Sequence, residues 1–254
     1  MDALQSALGV TRVARVTGLD RSGVEVACAV RPLGHVLQVC NGKGETWEEA
    51  RASALSEAAE LWAAERPRDL VYGAARDLPD AWEPEELVAP RLWSAATHIA
   101  WQSARDLFTG RRVLVPAQAV YCPPRGGPPL GPAAIRWSTN GMGAHPARSA
   151  ALGYACALRP LDAVRGAMLE AAQSRLTDVH GAREDVTPAD RPSMRALRRA
   201  CERSRPRRSL RSMPSARDAR EGVRGRRVAV VELAQEPLHV IKVFAPGLKL
   251  SGLL

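Results

Sequence analysis

Two short polar patterns, more than a hundred residues apart, most constrain how this chain can fold. The first holds Ser53, Glu57 and Glu60, and the second holds Glu170 and Gln173. Side chains three or four positions apart share one face of a helix, and both patterns lie in Ala- and Leu-rich stretches where a charge needs a partner. Together the two helices would supply oxygen ligands for Mg²⁺. The sequence contains no P-loop motif. The two patterns therefore predict a nucleotide-phosphate site that is built without a P-loop.

The composition is that of a chain with a substantial core. Its 254 residues are 46% hydrophobic but only 4% aromatic, which predicts a core of Val, Leu and Ala. The sequence contains no run of 18 apolar residues, so it predicts no membrane span. Its first residues lack the pattern of a secretory signal. The five cysteines are odd in number and contain no C-x-x-C pair. They therefore predict reduced thiols, a cytoplasmic location and no zinc site.

The net charge of +9 comes almost entirely from arginine. A basic surface can bind nucleic acid, but this one lacks interleaved aromatic residues and matches no nucleic-acid motif. Solvated surface arginines that follow a coding preference for Arg and Ala are therefore the favoured interpretation. Binding to an acidic peptide or a polyphosphate fits the same charge.

The hydrophobic pattern mixes strands and helices without strict alternation, which predicts an α+β fold with mixed sheets packed against helices. A helix is expected from the N-cap Thr46 to about Glu65, before Pro67, and a second from Leu161 to Val179. Strands are expected at 24–31, 36–40, 99–107, 112–121, 226–233 and 238–245, with a turn at 41–44. The remaining expectations are a surface segment with one short helix at 67–95, a loop at 122–132 and a flexible Arg-rich segment at 187–225.

An ordered set of sequence blocks resembles the YcaO-domain family. The block Gly9 to Gly23 and the segment Val36 to Glu60 are similar to the family's N-terminal signature and to its first ATP/Mg²⁺ motif. Further blocks resemble the family in the family's order, at 113–118, 138–143, 170–175, 181–185 and 240–248. Each block is weak alone, but the ordered set is specific and covers nearly the whole chain.

The resemblance implies a single YcaO-like domain over residues 1–254, with ATP and Mg²⁺ as cofactors. It implies phosphorylation of a peptide-backbone amide oxygen, after which a side-chain or sulfide nucleophile forms azolines, amidines or thioamides in ribosomal peptides or proteins. The sequence near residues 9–60 and 170–185 most resembles family members that are paired with TfuA proteins, which are linked to thioamidation. The family's best-known automatic label is accessory factor for ribosomal-protein methylthiolation. The expected partners are a peptide or protein substrate and a TfuA-like or peptide-presenting protein.

The resemblance also assigns site residues. The metal ligands are expected to be Glu57, Glu60 and Glu170. The nucleotide site adds Lys43, Ser53, Gln173, Arg175 and Arg183, with Arg12 and Asp20 as weaker candidates. The alternatives are a solvated helix face for the acidic patterns, a plain hairpin turn for Lys43 and a structural salt bridge to Glu184 or Asp185 for Arg183.

One departure from the family bears on activity. In the family, the turn that matches Asn140 to Gly143 leads into a helix bearing Glu-x-x-Glu-Arg-Asp, the second set of metal and phosphate ligands. Here the chain runs from His145 directly into residues that resemble a segment far downstream, so this central block is missing. Two functions are therefore expected. The chain is an ATP-dependent amide-activating enzyme impaired by the gap, or a catalytically inactive remnant that binds a partner. A homodimer is a route to restore missing ligands.

Overall fold

The computed structural model describes residues 3–82, 94–122, 155, 157, 159–179 and 227–245. The helices are α1 (Ala3–Ala7), α2 (Trp47–Ala64), α3 (Ala117–Val120) and α4 (Pro160–Val179). The strands are β1 (Arg12–Arg15), β2 (Glu25–Val30), β3 (Val39–Gly44), β4 (Val71–Ala74), β5 (His98–Asp106), β6 (Arg112–Pro116), β7 (Ala229–Ala234) and β8 (Val240–Phe244). Helices and antiparallel strands mix without alternation, as the α+β prediction requires.

The strands form two antiparallel sheets. The smaller sheet has the order β1-β2-β3, so β3 is its edge strand. The larger sheet has the order β4-β5-β7-β8, and β6 also pairs with β5. In the smaller sheet Cys28 lies opposite Asn41 and Val26 lies opposite Lys43. Among the described strands, none pairs with the other side of β3, and the candidate site lies on that side.

Helix α2 forms where its flanking residues predict. The hydroxyl of Thr46 accepts a hydrogen bond from the Glu49 N–H at 3.2 Å, and the Glu49 carboxylate accepts one from the Glu45 N–H at 2.8 Å. The first bond satisfies an amide donor in the first turn of the helix, and the second holds the residue before the cap against that turn. The helix ends at Ala64, before Pro67, because a residue that precedes proline is driven away from helical geometry.

The segment from Asn41 to Gly44 is part of β3 and not a turn, so that prediction was wrong. A Cβ on Gly42 would lie 2.1 Å from the carbonyl oxygen of Ala50 and from the amide nitrogen of Ala54. A Cβ on Gly44 would lie 2.5 Å from the Cβ of Glu49. The two glycines therefore allow α2 to lie directly on the strand, which is a tertiary requirement that resembles a turn signal in the sequence.

The main core lies beneath α2. Ala54 and Ala58 of the helix pack with Ala27 and Cys40 of the smaller sheet, and Val240 from the larger sheet joins the same cluster. A second cluster fills one face of the larger sheet and includes Ala100, Val115 and Val231. Small side chains make up most of the contact of α2 with β3, so the helix approaches the sheet closely.

Other expectations differ from the structure in detail. The strand expected at 36–40 begins at Val39, and the strand expected at 112–121 ends at Pro116, because α3 begins at Ala117. Strands β1 and β4 were not predicted, although β4 lies within the segment 67–95. The expectations for 123–132, 138–143 and 187–225 lie outside the described residues. Within the described ranges, none of the helices combines the length and the apolar character that crossing a membrane requires.

Candidate functional site

The backbone of Asn41 is the point at which the two polar patterns meet. Its N–H donates to Oε2 of Glu57, on α2, at 2.7 Å. Its C=O accepts from Nε2 of Gln173, on α4, at 3.1 Å. The N–H and C=O of one strand residue point to the same side, here the open edge of β3. The structure thus brings Glu57 of α2 and Gln173 of α4 to one residue of β3.

Lys43 extends this cluster along the same edge. It lies two positions after Asn41, so its backbone groups point to the same side of the strand. Its Nζ lies 3.8 Å from Oε2 of Glu170, on α4, and both side chains are only partly exposed. The interpretation of Lys43 as part of a hairpin turn is therefore wrong. Residues of α2, β3 and α4 together place three ionisable groups and an amide at the strand edge.

The environment of Glu57 gives its carboxyl group an unusual acidity. Burial raises the pKa of Glu57 to about 7, against the opposing effect of the Asn41 N–H. The nearby Glu60 raises this pKa further, and Lys43 lowers it. A carboxyl with such a pKa is about half protonated at neutral pH. A cation at this position would favour its ionised form.

Gln173 offers an oxygen that could receive such a cation. Its Oε1 is buried and has no hydrogen-bond partner in the part of the chain that the structure describes, while its Nε2 is fixed by the Asn41 carbonyl. A buried acceptor without a partner is costly. Amide and carboxylate oxygens are the hard ligands that Mg²⁺ prefers. The oxygen of Gln173 and the carboxylate of Glu57 therefore fit this ion.

The three carboxylates predicted to bind metal do not form a closed cage. Among residues 3–82, 94–122, 159–179 and 227–245, no group of three His, Cys, Asp or Glu side chains gathers at metal-binding spacing. Glu60 is exposed and reaches Glu57 only through its charge. Mg²⁺ commonly binds through one or two carboxylates and completes its shell with water and phosphate oxygens. The arrangement fits this open kind of site and not an all-protein cage.

Of the other predicted residues, Ser53 lies half-buried on α2, four positions before Glu57. Arg175 is half-exposed, and its Nε lies 3.0 Å from Oδ1 of Asp20. Burial pulls the pKa of Asp20 upward, but hydrogen bonds from the Arg21 N–H and from Arg175 outweigh burial and hold this pKa below its usual range. Arg183 lies outside the described residues.

Sequence reasoning missed the contribution of Asn41 and its neighbour Cys28. The Sγ of Cys28 donates to Oδ1 of Asn41 at 3.0 Å. Burial raises the pKa of Cys28 to about 11, so the thiol keeps its proton for this bond. The sequence signal was only the alternation of polar and small residues in β3. The backbone role of Asn41 depends on the edge position of the strand, which no local pattern encodes.

One protein-family model matches the chain, over residues 41–152 and 146–249. Its description is YcaO cyclodehydratase, ATP- and Mg²⁺-binding. These segments together cover most of the chain. They include Asn41, Lys43, Glu57, Glu170 and Gln173, whereas Arg12, Asp20 and Cys28 precede them. The predicted resemblance is confirmed at the level of the family.

The curated relatives are described as uncharacterized proteins. One from Methanothermobacter thermautotrophicus is 38% identical over 151 residues, which are 58% of this chain and 39% of the relative. One from Mycobacterium tuberculosis is 39% identical over 117 residues, 44% of this chain and 27% of the relative. One from Rhizobium leguminosarum bv. trifolii, described as lying in the tfuA 3′ region, is 35% identical over 136 residues, 48% of this chain and 31% of the relative. The matched part of the chain thus spans 27% to 39% of the length of these relatives.

Solved structures share the fold, among them the following two. YcaO from Methanopyrus kandleri, bound with AMPPCP and Mg²⁺, has a TM-score of 0.62 and 20% identity, over 95% of this chain and 86% of that chain. A heterocyclase in complex with substrate and cofactor has a TM-score of 0.62 and 16% identity, over 95% of this chain and 50% of that chain. These likenesses confirm the predicted α+β fold, in which mixed sheets pack against helices.

Proposed function

The chain belongs to the YcaO family, and we propose that it binds ATP with Mg²⁺ at the open edge of β3 to activate a peptide-backbone amide. The observation that carries the proposal is the meeting of Glu57 and Gln173 at Asn41, with Lys43 and Glu170 beside them. Phosphoryl transfer depends mostly on positioning and on neutralising charge. Oxygen ligands beside an ammonium group are the parts that this chemistry needs.

Each side chain has a distinct part in the proposal. Glu57 and the amide oxygen of Gln173 would hold Mg²⁺, and Glu60 and Glu170 would add negative charge beside it. Bound Mg²⁺ supplies charge neutralisation at the phosphate oxygens. Phosphate contacts come from Lys43, Ser53, Arg175 and Arg183. Of these, Arg175 is already oriented by its ion pair with Asp20.

The reaction we propose follows the chemistry expected from the family resemblance. The amide oxygen of the peptide attacks the γ-phosphorus of ATP, and ADP leaves. A nucleophile then adds to the amide carbon, and inorganic phosphate leaves with the former amide oxygen. Sulfide as nucleophile gives a thioamide, whereas a side-chain thiol or hydroxyl gives an azoline. The relative described as lying in the tfuA 3′ region supports thioamide formation with a TfuA-like partner as the first assay.

The test measures ATP turnover by the purified chain with peptide and partner present. We expect turnover that requires Mg²⁺ and is lost in Glu57→Gln, because the amide cannot supply the anionic ligand. Glu48→Gln is the matched control, since Glu48 is an exposed residue in the first turn of the same helix. A chain with neither Mg²⁺-dependent turnover nor a melting temperature raised by Mg-nucleotide would contradict the proposal.

A second candidate function is a catalytically inactive, partner-binding subunit. It is favoured by the absence from the sequence of a Glu-x-x-Glu-Arg-Asp helix after Asn140. Removing one preorganised charge donor from an active site costs on the order of a hundredfold in rate, and a missing set of ligands would cost more. Steady turnover that Glu57→Gln abolishes would exclude this function. Turnover that appears only at concentrations where the chain self-associates would instead indicate ligands shared within a homodimer.

A further inference from the structure

Lys43 supplies positive charge at the place where the carboxylates gather. Glu57 of α2 and Glu170 of α4 lie at the edge of β3, and the Nζ of Lys43 lies 3.8 Å from Oε2 of Glu170. The exposed Glu60 adds its negative charge beside Glu57. The same ammonium also acts electrostatically on Glu57. Three carboxylates and one ammonium carry a charge of about −2 when all are ionised, which one divalent cation would balance.

The base of the Lys43 side chain is held closely, whereas its end is partly exposed and makes a long ion pair. Gly42 and Gly44, on either side, touch the backbone of α2 so closely that neither has room for a Cβ. The strand cannot shift without moving that helix. In contrast, the Lys43 side chain is 28% exposed, and its Nζ lies 3.8 Å from Glu170, at the long end of ion-pair distances. A lysine head on a flexible four-carbon stem can therefore turn to a new partner while its Cα stays in place.

We propose that Lys43 is a tethered counter-ion that makes the site select Mg²⁺ already bound to a nucleotide over free Mg²⁺. Without nucleotide, the ammonium offsets the carboxylates and repels a free divalent cation. With nucleotide, the phosphates attract the ammonium away from Glu170, and the carboxylates become available to the metal that arrives with them. The inference rests on the proposed function, because it concerns the same nucleotide site.

The test compares two affinities in the whole chain by calorimetry. One is the affinity for Mg²⁺ or Mn²⁺ alone, and the other is the affinity for Mg²⁺ with a non-hydrolysable ATP analogue. Lys43→Met removes the charge and keeps most of the stem. We expect it to bind free metal about three- to tenfold more tightly, because one like charge a few ångströms away is removed. We expect it to bind the Mg-nucleotide about tenfold more weakly, because a phosphate contact is lost.

Two further variants make the comparison specific. Lys43→Arg keeps the positive charge and should keep the weak affinity for free metal. Arg165→Met removes one positive charge from the exposed pair with Glu45, elsewhere on α4, and should leave the ratio of the two affinities within about twofold of wild type. If Lys43→Met does not melt cooperatively, Lys43→Gln replaces it in the same measurements.

The outcomes separate this inference from the proposed function. If wild type binds Mg-nucleotide and Lys43→Met gains no affinity for free metal, Lys43 is a phosphate contact only and the inference is wrong. An equal gain in Arg165→Met would also overturn it, because the effect would then follow net charge alone. If wild type binds neither free metal nor Mg-nucleotide, both the inference and the proposed function fail.

Discussion

Arg175 and Asp20 form an ion pair across 155 positions of the chain, with the Nε of Arg175 3.0 Å from Oδ1 of Asp20. The carboxylate is largely buried, at 10% side-chain exposure, while the guanidinium is half-exposed. The pair links α4 to the segment between β1 and β2. This contact uses Nε, and the terminal nitrogens of the guanidinium carry further donors of the kind that bind phosphate.

Asp20→Asn should weaken nucleotide binding, although Asp20 itself is not placed at the phosphates. The amide keeps the size of the side chain but no longer fixes the guanidinium by charge, so we expect the Kd for Mg-nucleotide to rise about three- to tenfold. Asp162→Asn is the control, because Asp162 pairs with Arg159 on the exposed start of the same helix. Calorimetry on both variants checks this, and equal effects would show that Asp20 does not position Arg175.

The stability of the metal-free protein should depend on pH through Glu57. Its pKa is raised from 4.5 to about 7 in the folded state, so folding favours the protonated form. The contribution is fully present below the unfolded pKa and is lost as pH rises through about 7. Glutamine does not ionise, so Glu57→Gln does not lose folding stability as the pH rises. Its free energy of unfolding at pH 8 should exceed that of wild type by on the order of 2 kcal/mol.

Thermal melts of both proteins at pH 5 and pH 8, in EDTA, check this difference. Glu48→Gln, at an exposed position of the same helix, should follow wild type at both pH values. A Glu57→Gln protein that is equally or less stable than wild type at pH 8 would contradict the raised pKa.

The affinity for Mg-nucleotide should rise with pH over the same range. A metal binds the ionised carboxylate, so binding must release the proton that Glu57 carries below about pH 7. We expect about a tenfold loss of affinity between pH 7.5 and pH 6. Calorimetry in two buffers of different ionisation enthalpy measures the released proton. An unchanged proton release in Glu57→Gln would assign the titration to another group.

Gly42→Ala should disrupt the fold. The new Cβ would lie 2.1 Å from backbone atoms of Ala50 and Ala54, and overpacking in a close backbone contact costs about 3 kcal/mol or more. Gly18→Ala is the matched control, because a Cβ there meets nothing within 4 Å. Urea unfolding of the two variants checks the difference. A Gly42→Ala protein as stable as Gly18→Ala would show that α2 does not press on β3.

The sequence predicted what local chemistry determines. Thr46 and Pro67 locate the ends of α2 because a cap and a proline act within a few residues. The short strands β1 and β4 were missed because pairing with distant strands, and not their own composition, stabilises them. Asn41 to Gly44 looked like a turn because Asn-Gly is a strong hairpin signal. In the structure, Gly42 is required because the backbone of α2 lies directly against it.

The candidate site shows the same division. The helical spacing of Ser53, Glu57 and Glu60 identified a polar face on α2, and spacing also identified Glu170 and Gln173 on α4. The use of the Asn41 backbone as their common anchor could not be predicted, because it follows from the unpaired edge of β3. The acidity of Glu57 likewise depends on burial that only the assembled fold creates.

The absence of side chains between Gly42 and α2 has a mechanical consequence. With backbone touching backbone, the strand and the helix form one inflexible unit, and the spacing of Glu57 from Asn41 is fixed when the chain folds. Helix α4 meets that unit at β3 through polar contacts from Glu170 and Gln173. The wall of the site that α2 and β3 form is therefore rigid, whereas the wall that α4 forms can adjust its position. Substitutions that tune ligand affinity from a distance should accordingly be found along α4 and not in the body of α2.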